Sequence, residues 1–441
     1  MQFNCCLVVR NQSLKLRYRN TILRFSGFHK IFHDFFLCSF GSAIFSEFLL
    51  LSIDMVASKS SDPYSAKHPF PNFFSFWRKA KKPNEDSPPW TRLYRRFTLK
   101  ELRLATDNFG LKIGQDSHYS VYKGFINGGF NETVAIKMYD NNSLISHRYF
   151  LSEMELPWKR DHPNVLSLIG YCIQGSHRYT VFEYMPHGTL HGQLHSKNDS
   201  KTLLSWKKRL EICIGAARGI EFLHSGNPLI IHRAIKPSNI LLDNNWFAKI
   251  SDFNFSKMVP TRLSDSDSHV STDICGTRGY IDPEYIVSGL LTLKSDVYSF
   301  GVVLFEVLSA RKPMERSILE EQGINVMQWW RQCVEDDRVG DIMDPRMKVE
   351  VAPDCLKAYA DIAYKCSNER GSERPSMADV VKRLELILLF QECFEADLPF
   401  SPSWLASIAP SPKKNEPLSG VEFQDSDISV SDYNSEELLR D

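Results

Sequence analysis

"IIHRAIKPSN", residues 230–239, decides how this chain is read. It has the layout of a site loop, with polar side chains at His232, Arg233, Lys236 and Asn239. Where such a loop would place an acid, between Arg233 and Lys236, the chain carries the methyl group of Ala234. Three readings follow: a working site that has found another base, a site that has stopped working, or a fragment that only imitates one.

Outward from this loop the pattern is regular. In "SWKKRLEICIGAARGIEFLHS" (205–225), Trp206, Leu210, Cys213, Ala217, Ile220 and Leu223 recur every three to four residues, the period of a helix with one buried face. Downstream, "SDVYSFGVVLFEVLSA" (295–310) is apolar nearly all round, which predicts a central buried helix. Upstream, "SVYKGF" (120–125), "TVAIKMY" (133–139) and "YTVFEYM" (179–185) alternate between polar and apolar residues, as strands do. An amphipathic helix is expected within "RRFTLKELRLATDNFG" (95–110), from the spacing of Phe97, Leu99, Leu102 and Ala105, ended by Asn108 and Gly110. The fold class is therefore α+β, a small β-rich lobe followed by a larger α-helical lobe.

The 441 residues have room for one large or two ordinary domains. A formal net charge of zero gives no broad attraction to nucleic acid, and no nucleic-acid partner is expected. The ten cysteines show no metal-ligand spacing and most lie in apolar stretches, the usage of a reduced, intracellular protein. Cys5 and Cys6, adjacent to each other and near a basic segment, are either lipid acceptors or ordinary thiols.

Residues 1–54 form a basic and then apolar segment. Before residue 31 there is no acid, a composition also seen in organelle transit peptides, and "FFLCSFGSAIFSEFLLLSI" (35–53) has about the length that spans a bilayer. Glu47 lies inside it, and a central carboxylate costs roughly 2.5 kcal/mol or more there. The segment is read either as an anchor or as sequence upstream of a true start at Met55. Residues 55–96 read as a flexible basic linker able to touch an anionic membrane surface, 97–395 as the folded domain with a lobe boundary near 185/186, and 396–441 as a disordered, acidic, Ser-rich tail. The expected location is cytoplasmic, with the cytoplasmic face of the plasma membrane as an option.

Six short signals occur in one order: "VAIK" (134–137), "HRAIKPSN" (232–239), "SDFN" (251–254), "GTRGYIDPEY" (276–285), "SDVYSFGVVLFE" (295–306) and "ERPSM" (373–377). Over roughly 97–395 the chain resembles a protein kinase domain, and "FTLKELRLATDNF", "LIGYC", "FEYMPHGTL" and "GYIDPEY" are similar to the plant receptor-like and receptor-like cytoplasmic kinases. The resemblance implies a two-lobed fold, ATP and Mg as cofactors, and an active receptor-like kinase or another signalling protein as partner. It places Lys137 on the α and β phosphates with Glu153 as its ion-pair partner, and Asn239 and Asp252 as magnesium ligands. Gly114, Val121, Ala135, Phe182, Glu183 and Met185 fall at its remaining nucleotide-pocket positions, and Lys236 marks Ser/Thr specificity.

The same resemblance exposes departures. Of three glycines in the phosphate-covering loop only Gly114 remains, with Asp116 and Tyr119 at the other two positions. Asp116 brings like charge to phosphate and Tyr119 brings bulk. Asn254 replaces the glycine after "SDF", a mild change because Asn tolerates left-handed backbone angles. Ala234 removes the base itself, whose contribution is on the order of 10² to 10⁴ in rate. Positions with architectural roles are kept: Glu284 and Arg374, expected to form a buried ion pair, and Asp296, expected to open the central helix. Arg233, Ser271 and Thr272 match positions through which the activation segment is phosphorylated and its phosphate received. The reading is a degenerate member acting as a signalling adaptor with weakened ATP binding. Its alternatives are a weakly active Ser/Thr kinase, with Asp252 as substitute base, and a membrane-anchored receptor remnant.

Overall fold

The computed structural model describes residues 7–10, 13–18, 21–25, 88–126, 132–141, 143–155, 162–196, 203–259, 269–315, 325–347 and 351–397. The apolar run 35–53, most of the 55–96 linker and the tail from 398 lie outside these residues. Near the N-terminus, Leu7–Arg10, Ser13–Tyr18 and Thr21–Phe25 pair antiparallel in sequence order as a unit of their own. Among the described residues no helix is long and apolar enough to cross a membrane.

The second compact unit contains the two lobes. Its first part is a six-stranded sheet built from β1 (Arg95–Arg96), β2 (Lys112–Asp116), β3 (Tyr119–Ile126), β4 (Glu132–Tyr139), β5 (Leu168–Gln174) and β6 (His177–Glu183), in the order β1-β5-β6-β4-β3-β2. All pairings are antiparallel except β1 with β5. Successive side chains of a strand point to opposite faces, so the register sorts the sheet's residues into two sets. One set, with Val134, Ile136, Tyr179 and Val181, packs under α1 (Leu99–Ala105) against Leu99 and Leu102. The other set holds Tyr119, Val121, Lys137, Tyr139 and Thr180, which face α2 (Leu144–Glu155) and the cleft.

The amphipathic helix expected at 95–110 is shorter than its apolar spacing suggested. Thr98 caps it by accepting from the Glu101 amide while the Glu101 carboxylate accepts from the Thr98 amide, which leaves Phe97 outside. It stops at Ala105, and Asp107, Asn108 and Phe109 follow in the left-handed region. Residues 88–96, the end of the stretch read as linker, pack against this lobe: Trp90 is buried edge-on against Tyr171 and Phe150.

The larger lobe is helical and centred on two elements. The helix α4 (Trp206–His224) buries the predicted stripe, and α6 (Leu293–Ser309) is buried along fifteen consecutive residues from Ser295. Around them lie α3 (Leu190–Leu194), α5 (Pro283–Ser288), α7 (Val326–Glu335), α8 (Val339–Ile342), α9 (Pro353–Cys366) and α10 (Met377–Glu395). Gly219 lets α4 approach close: a Cβ there would stand 2.4 Å from the Asn164 carbonyl oxygen. The expected two-lobed α+β arrangement is what the chain adopts.

Candidate functional site

The cleft is lined from both lobes. Lys137 on β4 and Glu153 on α2 meet at 2.7 Å with both side chains almost fully buried. The second Glu153 oxygen accepts from the Tyr139 hydroxyl and, at 3.4 Å, from Thr180. Burial alone would pull the Lys137 pKa down, but the carboxylates of Glu153 and then Asp252 reverse this and raise it. The lysine is therefore a fixed cation whose geometry is set by three side chains around one carboxylate.

From the larger lobe, β7 (Ile240–Leu242) and β8 (Ala248–Ile250) form a hairpin that sets Asn239 beside Ser251. Ser251 donates to the Asn239 carbonyl from its amide (2.9 Å) and its hydroxyl (3.0 Å), so the two candidate metal ligands Asn239 and Asp252 are brought together. The Asn239 amide group donates to the Ala234 carbonyl at 2.9 Å, leaving its own oxygen as the free donor atom for a cation. Asp252 reaches Lys137 at 3.3 Å. Asn254 bridges the two, donating to Asp252 at 2.5 Å and accepting from Lys137 at 3.3 Å. Sequence reasoning treated Asn254 only as a backbone substitution; its side chain is the part that matters.

Tyr119 is the larger surprise. Its position was expected to add bulk to a loop backbone, whereas its ring lies over the Lys137 ammonium at 3.7 Å from the ring centroid. The signal was available in the spacing: Tyr119 and Val121 are two apart on β3, and Val121 pairs with Lys137. Burial, followed by the negative charges of Asp252, Asp116 and Glu153, pushes the phenol well above the ordinary tyrosine range, so the ring stays neutral. Asp116 turns inward on its own loop and accepts from the His118 amide at 3.2 Å, occupying one of the backbone donors that a phosphate would need.

The other positions read as nucleotide-pocket residues lie on or next to the sheet strands. Ala135 pairs with Phe182 across β4 and β6, Met185 is buried beyond the strand end, and Gly114 pairs with Val121. Glu183 is taken up elsewhere, accepting from the Ser167 amide at 2.7 Å and from Lys249 at 3.0 Å.

In the loop 230–239, Ala234 is 5% exposed, and its neighbour Arg233 sits in the left-handed region. Asp296 holds that backbone by accepting from the amides of His232 (2.7 Å) and Arg233 (2.8 Å). Burial works against the Asp296 charge, but its hydrogen bond from His224 and the charges nearby keep its pKa low. Lys236 is half-buried beside the loop's short 3-10 turn. The Arg233 guanidinium donates to the Asp273 carbonyl (2.6 Å), the Tyr285 hydroxyl (2.8 Å) and the Phe255 carbonyl (3.3 Å), so it already grips the segment that carries Ser271 and Thr272. Ser271 is exposed in a short strand, Val270–Ser271, that pairs with Leu290–Leu291.

One expected pair is corrected. Arg374 binds Asp282 through two bonds of 2.7 Å, with side chains 0% and 2% exposed, while Glu284 lies 3.9 Å away and is 48% exposed. Glu284 accepts instead from the Gly371 amide at 2.7 Å. Burial decides between the carboxylates: the fully enclosed guanidinium requires an enclosed counter-charge, and Asp282, the cap of α5, is the enclosed one.

The model described as protein tyrosine and serine/threonine kinase matches residues 108–384, more than half of the chain. The chain belongs to the protein kinase family. Receptor-like protein kinase ANXUR2 of Arabidopsis thaliana is 45% identical over 314 residues, 70% of this chain and 36% of that protein. Receptor-like protein kinase FERONIA of the same plant is 44% identical over 306 residues, 69% of this chain and 33% of that protein. EPD1-interacting receptor-like cytoplasmic serine/threonine-protein kinase 5A of Gossypium barbadense is 40% identical over 304 residues, 67% of this chain and 64% of that protein. The chain thus spans about a third of the length of the two receptor-like relatives.

Protein kinases use ATP and magnesium, and the cleft of the kinase domain holds side chains suited to phosphate and to a cation. Lys137, Asn239 and Asp252 are the right donors for phosphate and a hard cation. The Tyr119 ring lies over the ammonium that would meet the phosphates.

Proposed function

We propose that this chain is a pseudokinase, a signalling adaptor or allosteric partner of an active receptor-like kinase. The observation that carries the reading is the buried methyl of Ala234 at the position where a kinase holds its proton acceptor. A methyl neither accepts the substrate hydroxyl's proton nor orients the hydroxyl for in-line attack. Asp252, the nearest alternative, has one oxygen committed to Lys137 and Asn254. Nucleotide binding is weak, because it requires Tyr119 to leave Lys137. The scaffold that a partner would read, by contrast, is intact: Asp296 braces the 230–239 loop, and Arg233 holds an activation segment that offers Ser271 and Thr272 as acceptors for the partner's phosphate. The basic stretch before residue 97 supplies an electrostatic contact with an anionic membrane surface.

The competing reading is a weakly active Ser/Thr kinase, favoured by the formed Lys137–Glu153 pair and by relatives that are named kinases. Incubating the purified full chain with ATP and magnesium, beside an Asp252→Asn control, separates the two. Equal, background-level phosphate incorporation is expected. Autophosphorylation that disappears in the control would replace the adaptor reading with the enzyme.

A further inference from the structure

Glu306 sits in the middle of α6 with its side chain 0% exposed. Among the described residues no lysine or arginine pairs with it. One oxygen accepts from the Tyr280 hydroxyl. The other faces two imidazoles, His195 Nε2 at 2.7 Å and His191 Nδ1 at 3.9 Å. A carboxylate enclosed in this way needs a positive partner, either a proton shared with an imidazole or a metal ion.

The two histidines are four residues apart on and just after α3, so they lie on one side of it, with ring centroids 4.7 Å apart. One ligand atom from each of His191, His195 and Glu306 falls within 4.8 Å of the others. We propose that these three residues bind a divalent transition-metal ion, zinc by preference. Two imidazoles and one carboxylate form a borderline donor set, which suits zinc and disfavours calcium and magnesium, whose sites are built from oxygen. Three protein ligands leave a fourth position, and the 38% exposure of the His191 side chain gives the ion its entry path. Tyr280 supplies the outer hydrogen bond that fixes a ligating carboxylate. Tyr280 also accepts from Ser299 at its carbonyl, so an ion here would tie α3, α6 and the end of the activation segment into one unit. The site uses none of the cleft residues, and its existence does not depend on whether the cleft is active.

The test uses the full chain with any affinity tag removed, stripped by chelator and titrated with Zn²⁺ and with Co²⁺ as a spectroscopic probe. One tight equivalent of zinc, a zinc-dependent rise in melting temperature and visible cobalt bands of low coordination number are expected. All three should be lost in His191→Ala/His195→Ala, and Tyr280→Phe should weaken zinc about 10-fold to 100-fold. His191→Ala, at a half-exposed position, is the variant that keeps the fold and should still lose affinity. Absence of any zinc-dependent shift in the wild type, which would leave His195 and Glu306 as a proton-sharing pair, overturns the proposal. So do cobalt spectra and zinc affinity unchanged in the double variant.

Discussion

Arg374 gives both of its terminal nitrogens to Asp282, at 2.7 Å each, and only a 3.9 Å approach to Glu284. The two carboxylates are two residues apart and differ in what their loss should do. Asp282→Ala strands a fully buried guanidinium and should cost about 3–5 kcal/mol. Glu284→Ala removes one bond to the Gly371 amide from a half-exposed side chain and should cost about 1 kcal/mol. Denaturant unfolding of the two variants checks the order; equal losses would restore Glu284 as the buried partner.

Tyr119→Gly should strengthen nucleotide binding. The wild type is expected to show a small rise in melting temperature with millimolar ATP and magnesium, and the variant a larger one, since it exposes the Lys137 ammonium. Tyr119→Phe keeps the ring and should behave as the wild type. If glycine and phenylalanine variants respond alike, the ring is not what limits binding.

Ala234→Asp alone should recover little phosphoryl transfer, because Tyr119 and Asp116 still occupy the phosphate side of the cleft. Combined with Asp116→Gly and Tyr119→Gly, it should gain a measurable part of the roughly 10² to 10⁴ that a general base contributes. Full activity from the single change would show that the loop substitutions are tolerated.

Acid should destabilise the fold through His232. Its imidazole is buried, and burial holds its pKa below the ordinary value of 6.5. Between the folded value and 6.5 the unfolded chain binds a proton that the folded chain does not, so stability rises with pH in that window. The contribution is complete above 6.5 and is lost as the pH falls through the folded value. Unfolding midpoints taken from about pH 7 to about pH 5 should fall, and His232→Gln should flatten the trend. An unchanged slope in the variant would assign the acid sensitivity to other groups.

In cells, Asp252→Asn should leave signalling intact at matched protein levels, whereas Asp282→Ala should abolish it by loosening the activation segment. Lys137→Ala is a poor probe, since it strands the buried Glu153 and confuses folding with chemistry. A signalling readout killed by Asp252→Asn with partner binding preserved would contradict the adaptor role.

The sequence made the lobes legible because periodicity reports burial: α6 reads as apolar all round and is enclosed all round. It made Lys137, Asn239 and Asp252 legible because each falls in an ordered motif, and Glu153 through the resemblance that pairs it with Lys137. It did not disclose Arg374's partner, because Asp282 and Glu284 flank the same proline and only the packing of α5 decides which is enclosed. Nor did it disclose Asn254 as a bridge, since residue type at one position says nothing of two side chains converging from β4 and the 251–254 turn.

The ring of Tyr119 over Lys137 also has a pharmacological consequence. Small molecules shaped to the nucleotide pockets of active relatives meet a pocket whose cationic end is already covered from within. Such compounds would occupy the pockets of active relatives and spare this protein. A Tyr119→Gly allele would then be the form that takes up such compounds, a handle for labelling this pocket beside those of its relatives.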